Sequence, residues 1–249
     1  MKRVFIIIPF LACLLCTSCI DILEEFFVNK DGSGRYVITY DLSSIMQPEF
    51  QNMLGGLAEM SGEESENEMN FNDLENVELD STTCLLESAN ELTEISEQDK
   101  DLLSRSFMHM EFSGSSKVAK VTFEVNFKEA GEVKQFFEIL EATDVGGGGE
   151  MGLPLNQFST PVDISIKKNL FRRFDGSKEE LDIENDNSLA MMSMFFSEAT
   201  YTSIYYFPKK VKKTTIEGAQ IEGNVLTVEN SFLDAMLSKV NVSGDIKFK

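Results

Sequence analysis

Residues 107–142 carry the pattern that most limits what this chain can become. Val121, Phe123, Val125 and Phe127 alternate with Lys120, Thr122, Glu124 and Asn126, the two-residue period of a strand with one buried face. Upstream, Met108, Met110 and Phe112 alternate with Phe107, His109 and Glu111, and Ser113-Gly114-Ser115-Ser116 turns the chain between the two runs. Downstream, Val133, Phe136, Phe137 and Leu140 recur at helical spacing, so an amphipathic helix is expected from about Glu129 to Ala142. Strands that bury one face, joined by a tight turn and followed by a helix with one apolar stripe, predict an α+β fold of antiparallel hairpins with short helices packed on the sheet.

The same style runs through the rest. Ile22 to Val28 reads as a strand, Asn29-Lys30-Asp31-Gly32-Ser33-Gly34 as a turn, and Arg35 to Leu42 as the return strand. Ser43-Ser44 is placed to start a helix to about Met60, with Pro48 in its first turn. Residues 61–80 are acidic and weakly patterned, which predicts a loop. A strand over Val77 to Leu86 and a helix near Glu97–Ser104 follow. Gly146-Gly147-Gly148-Gly149, Pro154 and Pro161 mark a linker or loop over 144–161, without the strand–GxxxxGK–helix setting of a phosphate loop. Beyond it, strands are expected over Val162 to Phe174, Tyr201 to Phe207 and Val240 to Phe248. An apolar helix is expected over Ser188 to Ser197. Thr214 to Ile221 and Val225 to Glu229 read as a hairpin turning at Gly223-Asn224, and Ser231-Phe232-Leu233-Asp234 caps a helix to about Ser238. The expected division is a lobe over 19–143 and a second over 162–249, or one domain made from both.

The amino terminus sets the address. Met1-Lys2-Arg3 is basic, Val4 to Leu15 is apolar apart from Pro9, and small residues lead to Cys19. That is the order of a secretory signal, and its apolar core is shorter than the roughly 20 residues of a spanning helix. Leu14-Leu15-Cys16-Thr17-Ser18-Cys19 resembles a bacterial lipobox, with Cys16 where leucine is usual. The resemblance implies a signal peptide over 1–18, cleavage between Ser18 and Cys19, and diacylglyceryl and fatty-acyl (palmitate) groups on Cys19. Several acyl chains give near-permanent attachment where one does not. The alternative is an ordinary signal peptide with an incidental cysteine. Ile20 and Asp21 do not separate an inner-membrane from an outer-membrane destination within the cell envelope and periplasm.

Charge excludes one class of partner. The chain has 22 Lys and Arg against 42 Asp and Glu. Loss of Lys2 and Arg3 leaves 20 basic residues and a formal charge of −22. Such a body repels nucleic acid, so no nucleic-acid partner is expected. Cys13 and Cys16 leave with the signal, so Cys84 is the remaining thiol beside the acylated Cys19. No internal disulfide is possible, and Cys84 reads as a small apolar residue.

Catalytic constellations are thin. His109, the sole histidine, shares its strand face with Glu111, which reads as an exposed position and not a triad member. A zinc site wants several His and Cys ligands. Asp182, Glu184 and Asp186 alternate as in a calcium loop but lack its glycine and terminal glutamate. The expectation is therefore no enzyme, no metal and no cofactor. Two basic knots stand out, Lys209, Lys210, Lys212 and Lys213, and Lys167, Lys168, Arg172 and Arg173. They read either as lysines guarding sheet edges or as a patch for anionic lipid or an acidic partner. The abundant Phe and Met read as core, or as the lining of a lipid cavity.

Two stretches resemble a known group. Cys19-Ile-Asp-Ile-Leu-Glu-Glu with Asn29-Lys-Asp-Gly-Ser-Gly-Arg-Tyr, and Ala199-Thr-Tyr-Thr with Tyr206-Phe-Pro-Lys-Lys-Val and Phe232-Leu-Asp, resemble uncharacterised cell-envelope lipoproteins of Bacteroidota. The first hairpin is also loosely similar to the LppM-type lipoprotein domain, a β-rich extracytoplasmic domain with lipid-related roles. These resemblances imply a cell-envelope lipoprotein without an assigned activity. The first strand is expected about three residues after Cys19, which seats the domain close to the membrane, so the expected role is a non-enzymatic interaction or structural module there, with lipid binding or carriage as the alternative. Its partners would be the membrane through Cys19 and a lipid or envelope protein.

Overall fold

A computed structural model describes residues 21–47, 76–89, 95–143, 162–175, 199–236 and 242–249. Twelve strands form two sheets among them. They are β1 (Asp21–Val28), β2 (Gly34–Asp41), β3 (Glu78–Cys84), β4 (Ser106–Ser113), β5 (Val118–Phe127), β6 (Val162–Lys167), β7 (Leu170–Asp175), β8 (Thr200–Tyr206), β9 (Val211–Thr214), β10 (Gln220–Glu222), β11 (Val225–Ser231) and β12 (Gly244–Phe248). Four helices accompany them: α1 (Leu85–Ala89), α2 (Glu97–Leu103), α3 (Glu132–Thr143) and α4 (Phe232–Met236). The large sheet runs β10-β11-β8-β1-β2-β5-β4-β3 and the small one β6-β7-β12-β9.

The alternation that announced the strands also decides which way the large sheet faces. Val121, Phe123, Val125 and Phe127 are buried, as are Ile22, Phe26, Val28, Tyr36, Ile38 and Tyr40 on the neighbouring strands. These inward positions receive two covers. The small sheet lies over β1 and β8: Phe171 meets Phe26 at 5.6 Å and Tyr205 at 5.4 Å, both edge-on, and Phe248 stacks on Phe207 at 4.8 Å. Helix α3 lies over β2 and β5, with Phe137 against Tyr36 at 5.6 Å and Phe136 against Phe123 at 6.5 Å. Aromatic pairs in these geometries add about 0.5–1.5 kcal/mol each beyond their area. Arg105 fastens the helices, pairing with Asp101 of α2 and Glu132 of α3 at 3.0 Å each.

Several expectations need correction. Val162 to Phe174 is not one strand but the hairpin β6–β7, because Lys168 takes φ 52° and turns the chain at Lys168-Asn169. Thr214 to Ile221 does not form one arm of a hairpin. Its start ends β9 in the small sheet, and only Gln220–Glu222 pairs with β11 in the large one. The expected strand to Leu86 stops at Cys84, where Leu85 begins α1 and is fully buried. The described start of the expected helix at Ser43 is a 3-10 turn over Ser43–Met46, after which Gln47 is extended. Most pairings are antiparallel as expected, but β1 and β8 run parallel from Asp21↔Thr200 to Phe27↔Tyr206.

Candidate functional site

In the middle of the packed interior stands one charged centre. Along β1 the inward positions read Ile22, Glu24, Phe26 and Val28, and Glu24 is fully buried. Arg173 reaches it from β7 of the small sheet, itself 1% exposed, and its guanidinium Nη1 pairs with Glu24 Oε2. Hydroxyl groups surround the pair. Tyr36 donates to Glu24 Oε1 at 2.9 Å; Ser203 and Tyr201 donate to Oε2 at 2.7 and 3.0 Å. Arg173 in turn donates to the hydroxyls of Tyr205 at 2.8 Å, Tyr201 at 3.1 Å and Ser203 at 3.3 Å. Its guanidinium also lies 5.8 Å over the Phe26 ring. Burial, then the Glu24 charge, pushes the Tyr36 phenol well above its ordinary range, so it stays a proton donor. Tyr40 is raised by the same two causes.

This arrangement bolts the sheets together. The carboxylate belongs to the large sheet and the guanidinium to the small one, so separating the layers strips a partner from a buried charge. Arg173 therefore leaves the exposed basic knot in which the sequence placed it. Sequence reasoning missed Glu24, Ser203 and the three tyrosines. The signal was available: Glu24 and Ser203 each occupy a position that strand alternation reserves for apolar side chains.

A second feature is the end of the large sheet where β1 begins. Asp21 opens that central strand and accepts hydrogen bonds from Thr200 N at 3.1 Å and Thr200 Oγ1 at 2.5 Å. The first residue of β1 is thus tied to the first residue of its parallel neighbour. Cys19 and Ser18 lie outside the described residues, two and three positions earlier.

The third feature is charge on the two outward surfaces. On the large sheet the outward ladder positions carry Asp21 and Glu25 (β1), Arg35 and Asp41 (β2), Lys120 and Glu124 (β5), Glu111 (β4), Glu78 and Asp80 (β3), Glu222 (β10) and Glu229 (β11). Those are nine acids and two bases, and both bases are taken by Glu124 and Asp41. His109 sits on this face as the alternation predicted, bonded to Thr82 at 2.9 Å and 3.7 Å from Asp80. The small sheet is the reverse. Its outward ladder positions carry Asp163 and Lys167 (β6), Arg172 (β7), Asp245 and Lys247 (β12) and Lys213 (β9), four bases against two acids, and Lys168, Lys209, Lys210, Lys212 and Lys249 add positive charge at the turns, the strand ends and the bulge. Backbone bonds bring the separate lysine runs together: Phe248 N to Asn169 O and Lys249 N to Lys210 O, both 3.0 Å. Arg172 is held by Asp245 at 2.6 Å, and that bond lowers the Asp245 carboxyl below its ordinary range.

Other sequence candidates take ordinary places or lie elsewhere. Cys84 is half-buried, its thiol 3.6 Å from Leu103 O. Asp182, Glu184 and Asp186, the 144–161 stretch, the acidic run up to residue 75 and the 188–197 helix lie outside the described residues. Among the described residues, no group of three His, Cys, Asp or Glu is arranged to hold a metal ion, and no helix is long and apolar enough to cross a membrane.

Fold and site define a two-sheet α+β protein, mostly antiparallel, bolted by a buried ion pair and oppositely charged on its two outer faces. No family model matches the sequence, and no curated protein matches it. Among solved structures, the NMR structure of the folded domain of LppM from Mycobacterium tuberculosis aligns with 92% of this chain and 90% of that one, at a TM-score of 0.40 and 9% identity. A similarity that distant assigns neither a residue nor a role, and the Bacteroidota resemblance finds no counterpart in these comparisons.

Proposed function

We propose that this chain is a bacterial envelope lipoprotein, cleaved before Cys19 and acylated there, that serves as a non-enzymatic interaction module held against its membrane. One observation carries the reading: β1, a central strand of the large sheet, begins at Asp21. Asp21 is two positions beyond Cys19, and at roughly 3.5 Å per residue the folded body hangs within about 7 Å of the acylated position. A tether that short suits a protein whose partner is at the membrane surface, not one that reaches across the envelope.

The test uses the full-length chain in a bacterial envelope. Wild type should incorporate labelled palmitate and sediment with membranes. Cys19→Ser should lose the label and move to the soluble fraction. A Cys19→Ser protein that stays labelled and membrane-bound would sink the proposal. A second experiment addresses the short tether. A flexible spacer inserted after Ile20 leaves β1 whole, whereas one placed after Ile22 would cut the strand at a buried residue. Close seating predicts that the spacer variant stays anchored but loses its in vivo phenotype.

A further inference from the structure

The two outer faces of this molecule are electrostatic opposites, and the fold sets them back to back. The small sheet covers the inward face of the large one, so its own outer face points away from the large sheet's outer face. One is rich in lysine and the other in carboxylate. Lysines guarding an edge account for part of this, since Lys212 and Lys213 lie on β9, the edge of the small sheet. They do not account for Lys247 on the interior strand β12, nor for Lys168, Lys210 and Lys249 at the strand ends. Both faces also carry like charges directly across a ladder: Lys213 opposite Lys247 on the small sheet, and Asp80 opposite Glu111 on the large one. Such pairs are unfavourable, and the molecule offsets them only in part, Glu111 through Lys120 on its other flank and Lys247 through Asp245 two positions away, itself held by Arg172. Among the described residues the small-sheet lysines named here form no ion pair.

We propose that the lysine-rich outer face of the small sheet docks on the acidic outer face of the large sheet of a second copy of this chain, building head-to-tail rows. The complementary surface is present on the same molecule. Because the two faces differ and are opposed, the contact is heterologous and does not close on itself. Four strands about 4.8 Å apart and four to six residues long present roughly 330 Å², under half of what one partner in a standard interface buries. The contact is therefore weak in solution and gains from confinement on a membrane. That last step rests on the anchoring proposed above; the charge match does not.

The test is carbodiimide cross-linking, which joins lysine directly to carboxylate, on the full-length protein in phosphatidylcholine vesicles. At 50 mM NaCl a ladder of dimers and higher species should form, with Lys213 and Lys247 linked to Glu78, Asp80 or Glu111 at the β3–β4 end of the acidic face. At 500 mM NaCl, where screening falls to a few ångströms, the ladder should drop at least about tenfold. Lys167→Glu/Lys213→Glu/Lys247→Glu should abolish it, and so should Glu78→Lys/Asp80→Lys/Glu111→Lys. The six-fold variant that reverses both faces should restore it, which also shows that the reversed chains fold. The milder Lys→Gln triple should weaken it. No ladder at low salt, a ladder indifferent to reversal, or loss without rescue in the six-fold variant each overturns the proposal. The last would mean that the lysines serve another anion. If the protein fails to sediment with the vesicles, the anchoring reading fails by itself. The same cross-linking at about 200 µM in solution, a concentration suited to a weak interface, then decides the docking.

Discussion

Glu24 and Arg173 are 149 residues apart and complete each other's hydrogen bonding in the dry space between the sheets. Removing one member of such a pair leaves a buried charge without its counter-ion, so Glu24→Gln or Arg173→Met alone should cost about 3–5 kcal/mol. The paired replacement Glu24→Leu/Arg173→Met should cost less than either, because neither charge is then stranded; urea-denaturation midpoints decide. Gly34 is a second sensitive position. A Cβ there would lie 2.2 Å from Phe27 O and 2.4 Å from the Phe127 ring, so Gly34→Ala should lower stability by at least about 1–3 kcal/mol, the usual cost of overpacking. Acid sensitivity comes from the surface pairs. Asp245 is lowered by its bond to Arg172, and Asp101 by bonds from Lys128 and Arg105. A carboxyl whose folded pKa lies below its unfolded value stabilises the fold above the unfolded pKa and loses that contribution as pH falls through the folded one. Stability should therefore hold down to about pH 4, the ordinary carboxylate range, and decline below it. Asp245→Asn should flatten part of the decline in a thermal-melt series. At this scale the sequence was only half legible. Charge at an apolar-parity position marks Glu24 as unusual, but nothing in one strand says which distant cation answers it.

Elements were easier to read, because the two periods are local properties. β2, β4, β5, α2 and α3 lie where alternation, helical spacing and capping put them; Ser96 accepts from Asp99 N at the start of α2, and Ser231 from Asp234 N at the start of α4. The hairpin β6–β7 escaped because its turn has no glycine or proline. Lys168 adopts the left-handed conformation that glycine would normally supply. Lys168→Gly should consequently raise stability by up to about 1 kcal/mol, the steric cost of that conformation for an L-residue less the added chain entropy. Lys168→Val should lower it. Thermal unfolding of both variants separates the backbone effect from loss of the lysine charge, since both substitutions remove the charge equally.

Across the whole molecule, the Phe-rich interior is built of rings in contact with rings, from Phe26 through Phe171 and Phe207 to Phe248. If those rings are core and not a lipid cavity, native mass spectrometry of the protein lacking residues 1–19, taken from an envelope fraction without detergent, should give the bare chain mass. A stoichiometric lipid adduct would revive the carrier alternative. The sequence alone determined the strand and helix periods, most of the turns and the strongly acidic balance, because each is written in the residues themselves. Tertiary structure decided that β1 lies parallel to β8, whose residues are nearly 180 positions away. It also decided that Arg173 is buried while Arg172 beside it is not, and that lysines from three chain segments share one sheet. The reason is physical. Backbone ladders are nearly indifferent to side chains, so which strands become neighbours is settled by long-range packing and loop closure, and a pattern within one strand records neither.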